Sequence, residues 1–206
     1  SGRLFSVAIA THCESFYFNF NQTQPHSSVL PYADLEIFRS LLNDPSRLWV
    51  NHNLKYDGHF LRSEGLEIVG NLWCTMVMAR VERNDHEKYS LDACAFRIGS
   101  HKDNAVKKYA DANKLYTQVV IPGKKTRDKQ YHFERIPLDI MWPYACQDTR
   151  AAFDLYNHQK KVFAGWTGPT VKPIEPIILL EQQTTKVVLD METHGIRVDQ
   201  EYCRKA

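Results

Sequence analysis

Hydrophobic and polar residues alternate in two short runs near the start of the chain, and longer stretches further along repeat with helical spacing. Residues 4–10 and the aromatic run at 15–20 have the alternation of two strands in a hairpin. Short apolar runs at 47–50 and 68–72 predict two more strands. Helices are predicted at 33–42, between residue 50 and Gly65, and at 75–83, 90–98 and 103–115. Early strands, with helices interleaved and then dominant, predict an α/β fold.

The second half of the chain is predicted to be mainly helical. A basic, turn-rich loop at 122–129 precedes a long helix that begins at Pro143 and ends near Phe163. After a segment rich in glycine and proline comes an amphipathic helix at 176–193, and Asp199 caps a final short helix. The chain starts without Met, directly before a strand, and stops inside a helix, so we interpret it as an interior piece of a longer protein. We divide it into a domain at 1–164, a linker at 165–175 and the beginning of another domain at 176–206.

Two acidic residues are predicted to lie on the inward faces of helices. Helical spacing places Asp57 with Leu54 and Leu61, and it places Asp148 on one stripe with Tyr144 and Leu155. Burying an ionised carboxylate without compensation costs several kcal/mol, so a cation, a set of hydrogen bonds or a metal ion is needed opposite each acid. Two such acids from distant parts of the chain suggest a divalent-metal site for phosphoryl chemistry.

Composition excludes several classes of protein. The chain has 206 residues and a formal net charge of +2, so it is not a simple polycation whose charge alone predicts nucleic-acid binding. It has no apolar run long enough to cross a bilayer and no leader at its start, so we expect a cytosolic protein without a membrane partner. The five cysteines contain no Cys-x-x-Cys pair, which speaks against a disulfide framework and a structural zinc site.

Four segments, taken in order, resemble the 3′-5′ proofreading exonuclease domain of family A DNA polymerases, a member of the DEDD superfamily in its tyrosine-containing variety. In chain order, these segments are similar to the second exonuclease motif, to the helix between the second and third motifs, to the third motif, and to the entry of the polymerase portion. They are His52-Asn53-Leu54-Lys55-Tyr56-Asp57, Ser90-Leu91-Asp92-Ala93, Tyr144-x-x-x-Asp148 and Leu189-x-Met191-Glu192-x-x-Gly195.

The resemblance implies a ribonuclease H-like mixed sheet flanked by helices and followed by the long helix of the next domain. It also implies two Mg²⁺ or Mn²⁺ ions bound by Asp57 and Asp148, with Tyr144 orienting the attacking water. The expected partners are the remainder of the polymerase chain and a single-stranded or frayed 3′ end of DNA in a bacterial or phage-infected cell. Contacts to that DNA are assigned to His52, Asn53 and Tyr56.

One departure from the family pattern is important. The superfamily takes two further metal ligands from an Asp-x-Glu on its first, central strand, upstream of the strand at Leu4, and this motif is absent here. We therefore expect half of the metal site, a gap in the sheet, and a fragment that is inactive and poorly stable alone. Asp190-x-Glu192 has the same spelling, but it lies at the end of a predicted helix, and we reject it as a metal site.

Other interpretations of these residues remain open. Asp57 can be a helix-start acid that complements the helix dipole, and Asp148 can be a buried acid paired with Arg97 or Arg150. Tyr144 can be a core aromatic residue, and His52 can be satisfied by local hydrogen bonds. For the whole chain, the alternatives are a non-catalytic scaffold or DNA clamp of a polymerase and a ribonuclease D-like RNA-processing exonuclease.

Overall fold

The structure, a computed structural model, describes residues 4–24, 29–100, 103–120, 127–166 and 173–205. Six strands are present in these ranges: β1 Ser6–Ala10, β2 Ser15–Asn19, β3 Leu48–Asn51, β4 Asn71–Cys74, β5 Tyr116–Val120 and β6 Arg127–Tyr131. Eight α-helices alternate with them: α1 Glu36–Leu42, α2 Leu54–Ser63, α3 Thr75–Glu82, α4 Leu91–Arg97, α5 Ala105–Ala112, α6 Leu138–Ala164, α7 Glu175–His194 and α8 Gln200–Lys205. The predicted α/β class is confirmed.

The strands form three separate pairs in the described part of the chain. β1 and β2 are antiparallel, with Ser6 opposite Asn19, and β5 and β6 form a second antiparallel hairpin. β3 and β4 are parallel, with Asn51 opposite Cys74 at their carboxyl ends. No hydrogen-bonded ladder joins β1 to β3 within the described ranges, although α6 packs against both strands. The long helix therefore packs against two separate strand pairs.

Packing of aromatic and aliphatic side chains fixes each layer. The alternation of β2 directs Phe18 toward α1, where it meets the ring of Phe38 edge to face at 5.0 Å. Phe20, Leu42 and Leu66 complete this cluster. Around α6, a second cluster joins Trp73 of β4 and Met78 of α3 to Phe163. The second cluster thus holds β4 and α3 against the C-terminal part of α6.

Three sequence predictions need correction. The long helix begins at Leu138 and not at Pro143, because Pro137 is its N-cap and Met141 is buried against Val106 and Ile136. Proline is tolerated inside the helix at the loss of one backbone hydrogen bond. Residues 127–129, predicted as loop, belong to β6, whereas 121–126 lie outside the described residues. The strand predicted at 68–72 begins three residues later and ends two residues later, at Asn71–Cys74. Directly before it, Gly70 passes so close to the Arg47 carbonyl that a Cβ there would be 2.5 Å from its oxygen.

Helix α7 lies beyond the segment predicted as the first domain, yet it packs on α2, α3 and β4. Its buried stripe includes Gln182 and Leu189, and Gln182 Oε1 accepts a hydrogen bond of 3.0 Å from the backbone N–H of Cys74. Gly58 of α2 provides the space for Leu189, because a Cβ at Gly58 would lie 2.7 Å from Leu189 Cδ2. Most of the predicted linker lies outside the described residues, and the proposed domain division stays a prediction. In the described ranges, no helix has the length and apolar content needed to cross a membrane.

Candidate functional site

The junction between β3 and α2 positions the first acidic residue. β3 ends at Asn51, the chain turns through Asn53 with φ 59° and ψ 48°, and α2 begins at Leu54. Leu54 is buried against Leu72 and Cys74, which anchors the start of the helix. Asp57 is therefore held in the first turn of α2, half-buried, where the Asn51 side chain hydrogen-bonds it.

The pKa of Asp57 reflects the environment of its carboxyl group. Burial, the largest influence, raises the pKa of Asp57 from 3.8 to about 6, while the hydrogen bond from Asn51 acts in the opposite direction. The Asp148 carboxylate adds to the rise. An acid that merely complements the helix dipole at the surface would have a lowered pKa. The raised value fits an inward-turned acid close enough to Asp148 to feel its charge.

Asp148, whose charge acts on Asp57, and Tyr144 both belong to α6. They are four residues apart, so they lie on one face of the helix, and both are half-buried. Tyr144 packs at the edge of the cluster formed by Val106, Ile136 and Met141. The tyrosine thus has the core contacts of an ordinary aromatic residue as well as the spacing predicted for the site.

Arg97 and Arg150, which the sequence offered as partners for Asp148, both have contacts elsewhere. Arg97 donates to the backbone carbonyl of Lys88 and lies over the Tyr89 ring. Arg150 Nη1 is 3.4 Å from the His12 carbonyl oxygen. The described hydrogen bonds of these two guanidinium groups to oxygen therefore go to backbone carbonyls on other elements.

The three residues predicted to contact DNA have different surroundings. Tyr56 is 61% exposed, and its ring is tilted by 59° against that of Phe60, with ring centroids 5.1 Å apart, so most of the side chain is open to solvent. Asn53 occupies the left-handed turn just before α2. His52 is engaged within the protein, since Nδ1 is 2.9 Å from Thr75 Oγ1 and Nε2 is 2.9 Å from the Tyr89 carbonyl oxygen. These are the local hydrogen bonds that the sequence analysis left open.

Across the described ranges, no group of three or more His, Cys, Asp or Glu side chains is placed to hold a metal ion. The rejected pair on α7 serves another purpose: Glu192 pairs with Lys55 at 2.5 Å and Asp190 with Arg62 at 2.5 Å. Both acids of that pair are therefore engaged with basic side chains of α2.

Sequence reasoning missed three polar residues behind the acids: Asn51, Thr75 and Gln159. Thr75 and Gln159 are fully buried, and their hydrogen bonds connect β3, β4 and α6. Of these three residues, only Asn51 could have been suspected from the sequence, because it directly precedes the motif that begins at His52.

Comparison with known proteins places this arrangement in context. A family model described as 3′-5′ exonuclease matches residues 1–163. The chain is 31% identical over 153 residues to the DNA polymerase DpoZ of Acinetobacter phage SH-Ab 15497, and the match covers 73% of the chain and 22% of that relative. It is 30% identical over 142 residues to the DNA polymerase of Escherichia phage T5, with 64% of the chain and 15% of that relative covered. The chain thus spans about a fifth of the length of such relatives.

A solved structure shares the fold. The POL domain of Pol1 from M. smegmatis, in complex with a DNA primer-template and dNTP, superposes with a TM-score of 0.60 at 17% sequence identity. The superposition covers 96% of this chain and 27% of the mycobacterial one, so it includes α7 as well as the segment matched by the family model.

Proposed function

The chain belongs to the 3′-5′ exonuclease domains of family A DNA polymerases, and from this membership we propose that it supplies the proofreading site of a replicative phage or bacterial polymerase. The proposed reaction removes nucleotides one at a time from the 3′ end of single-stranded or frayed DNA. The remainder of the polymerase chain is the partner in which the module works.

The observation that supports this proposal is that the charge of Asp148 contributes to the raised pKa of Asp57. Two half-buried carboxylates close enough to interact electrostatically repel each other, and burial makes the charge on Asp57 costly. A divalent cation bound between them removes both penalties, and hard carboxylate oxygens suit Mg²⁺ or Mn²⁺. The residues present therefore fit one half of a two-metal site.

Each residue has a defined task in the proposed reaction. Asp148 and Asp57 hold the two metal ions, which when bound would activate water and stabilise the leaving 3′ oxygen. Tyr144, one turn before Asp148, orients the attacking water through its hydroxyl group. An ordinary tyrosine has a pKa near ~10 and is a poor base at neutral pH, so positioning is its role. Asn53 and Tyr56 contact the terminal sugar and base.

We extend the proposal to the two separate strand pairs, β1–β2 and β3–β4. In the described residues β1 bonds only to β2, and β3 bonds only to β4, while α6 packs against both pairs. A strand inserted between β1 and β3 would convert them into one mixed ribonuclease H-like sheet, and an Asp-x-Glu on that strand would face α2 and α6. The proposal accordingly expects the present chain to be inactive alone and to gain activity with this strand.

The test is a degradation assay on the full polymerase that contains this chain, using single-stranded DNA labelled at its 5′ end. Shortening from the 3′ end should require Mg²⁺ or Mn²⁺ and cease with chelator. Asp148→Ala should abolish it, whereas Asp139→Ala, a matched change at an exposed acid on the same helix, should not. Equal rates for wild type and Asp148→Ala would refute the assignment. Comparing RNA with DNA of the same sequence tests the ribonuclease alternative.

A non-catalytic scaffold is the second candidate, and it is favoured because the described residues contain no group of three or more His, Cys, Asp or Glu side chains placed to hold a metal ion. It predicts that the full polymerase binds a frayed DNA end without shortening it under any metal. The same assay, combined with a binding measurement, separates the two functions.

A further inference from the structure

A fully buried threonine lies between the two acid-bearing helices. Thr75 is the first residue of α3, directly after β4, and its side chain is inaccessible to solvent. Its hydroxyl oxygen is 3.2 Å from the Asn51 carbonyl and 2.9 Å from His52 Nδ1. Both neighbours belong to the segment that leads into α2, and the Asn51 side chain hydrogen-bonds Asp57. Thr75 therefore holds the backbone from which Asp57 is positioned.

The backbone of Thr75 reaches the opposite helix. Its carbonyl accepts a 2.9 Å hydrogen bond from Gln159 Nε2, and Gln159 Oε1 accepts one of 2.9 Å from the Trp73 indole N–H. Gln159 is fully buried on α6. It follows Asp148 by about three helical turns, so it lies on the same face of the helix. Both the nitrogen and the oxygen of this buried amide are thus used to attach α6 to the β4–α3 junction.

The hydrogen-bonding capacity of His52 adds a third contact. The Tyr89 carbonyl only accepts, so His52 Nε2, 2.9 Å away, donates to it. In the neutral ring Nδ1 is then an acceptor, and the single proton of the Thr75 hydroxyl is shared between Nδ1 at 2.9 Å and the Asn51 carbonyl at 3.2 Å. Both ring nitrogens are engaged, which leaves neither for a nucleotide while these bonds persist.

We propose that Thr75, with His52 and Gln159, forms a buried brace that fixes the separation of α2 and α6 and thereby of their two carboxylates. Thr75 is a positioning residue, since it acts through Asn51 and His52 and not on substrate. His52 belongs to the same brace, in place of the predicted contact with DNA. The proposal rests on the function proposed above.

A brace is needed because two like charges separate unless the protein holds them. Without a cation, Asp57 and Asp148 repel, and only rigid packing keeps them at a distance that suits a shared metal site. Residues behind metal ligands, when changed, typically cost about 10–100-fold in metal affinity or activity. Thr75 links β3 to α6, because its hydroxyl contacts the Asn51 carbonyl and its own carbonyl accepts from Gln159.

The decisive variants are Thr75→Val and Thr75→Ser in the full polymerase. Valine keeps the shape but removes the hydroxyl, whereas serine keeps it. Thr185→Val is the matched control: Thr185 is also buried, and its hydroxyl donates to the Glu181 carbonyl within α7, away from the acids. Thr75→Val should lower kcat for single-stranded DNA by about 10–100-fold and raise the half-saturating Mn²⁺ concentration, with KM for DNA nearly unchanged. Thr75→Ser and Thr185→Val should resemble wild type.

Two results would overturn the brace. One is equal kcat and Mn²⁺ dependence for Thr75→Val and Thr75→Ser. The other is a loss that appears only in KM for DNA, which would return His52 to a substrate contact. If the wild-type polymerase shows no exonuclease activity, the proposed function fails, and Mn²⁺ binding followed by electron paramagnetic resonance still compares the same variants.

A spectroscopic measurement on the present chain tests the geometry independently of activity. Nitrogen-15 spectra of the histidine rings should show His52 as the Nε2–H tautomer with slow exchange of that proton, and Thr75→Val should shift its Nδ1 resonance. A His52 ring that averages between tautomers and exchanges freely with water would refute the brace even in an active enzyme.

Discussion

Replacing Asp57 by asparagine should stabilise the metal-free chain at neutral pH, although it removes a residue that we assign to metal binding. Burial, with a smaller addition from the Asp148 charge, raises the pKa of Asp57 from 3.8 to about 6. Between these values the folded chain keeps a proton that the unfolded chain has released, so the free energy of unfolding falls as pH rises. Above about pH 6 the loss is complete, and the ionised carboxylate is a constant cost to the fold.

The pKa difference sets the size of this cost. About two pKa units at about 1.4 kcal/mol each correspond to about 3 kcal/mol. Because Asp57 is only half-buried, water screens part of the interaction, and we expect Asp57→Asn to gain about 1–3 kcal/mol at pH 8. At pH 4.5 the Asp57 carboxyl group is protonated in most folded molecules, and the gain in the free energy of unfolding should fall to about a third of that value.

The assay is urea unfolding of both proteins in chelator, followed by circular dichroism at several pH values. Asp139→Asn is the control, because it removes the same charge from the first turn of α6 at an exposed position. It should be slightly destabilising at pH 8, since a first-turn acid complements the helix dipole. If Asp57→Asn is no more stable than wild type at pH 8, or if its gain does not grow with pH, the inward-turned environment assigned to Asp57 is wrong.

Three further changes can be tested by urea unfolding. Gly58→Ala places a Cβ 2.7 Å from Leu189 Cδ2 and should lower the free energy of unfolding by about 1–3 kcal/mol through overpacking. In the double variant with Leu189→Ala, the total loss should be smaller than the sum of the two single losses, and strict additivity would contradict this contact. Asn53→Ala should cost about 1–2 kcal/mol because φ is 59°, whereas Asn53→Gly should be nearly neutral, and equal losses would argue against the left-handed turn. Glu192→Gln should cost less than about 1 kcal/mol despite its short ion pair with Lys55, since both side chains are partly exposed, and a larger loss would show that this pair is a principal anchor of α7.

The parts of the fold that the sequence predicted are those specified by local periodicity. The β1–β2 hairpin and the helices carrying Asp57 and Asp148 follow from residues close together in the chain, and so does the Ser90 cap of α4, whose Oγ accepts from the Ala93 N–H. The convergence of the two acids was inferred because each stripe needed a partner, and the Asp148 charge felt at Asp57 agrees with that inference.

Contacts between distant segments were not visible in the sequence. Gln159 hydrogen-bonds Thr75, which is 84 positions away in the sequence, and neither residue type predicts such a contact. The β5–β6 hairpin was missed because its exposed strands carry polar residues on both faces, as in Arg127–Tyr131. The start of α6 was misplaced because a proline usually marks a first turn, whereas burial of Met141 extends the helix upstream of Pro143.

Helix α7 has to be included in any isolated fragment that keeps the native surroundings of α2. The recognisable family signature ends at residue 163, but Gln182 covers the backbone of Cys74 and Leu189 fills the notch at Gly58. A shortened version cut after residue 164 would strip this cover from the helix that carries Asp57. Anyone transplanting the nuclease module between polymerases would therefore have to carry α7 along with it.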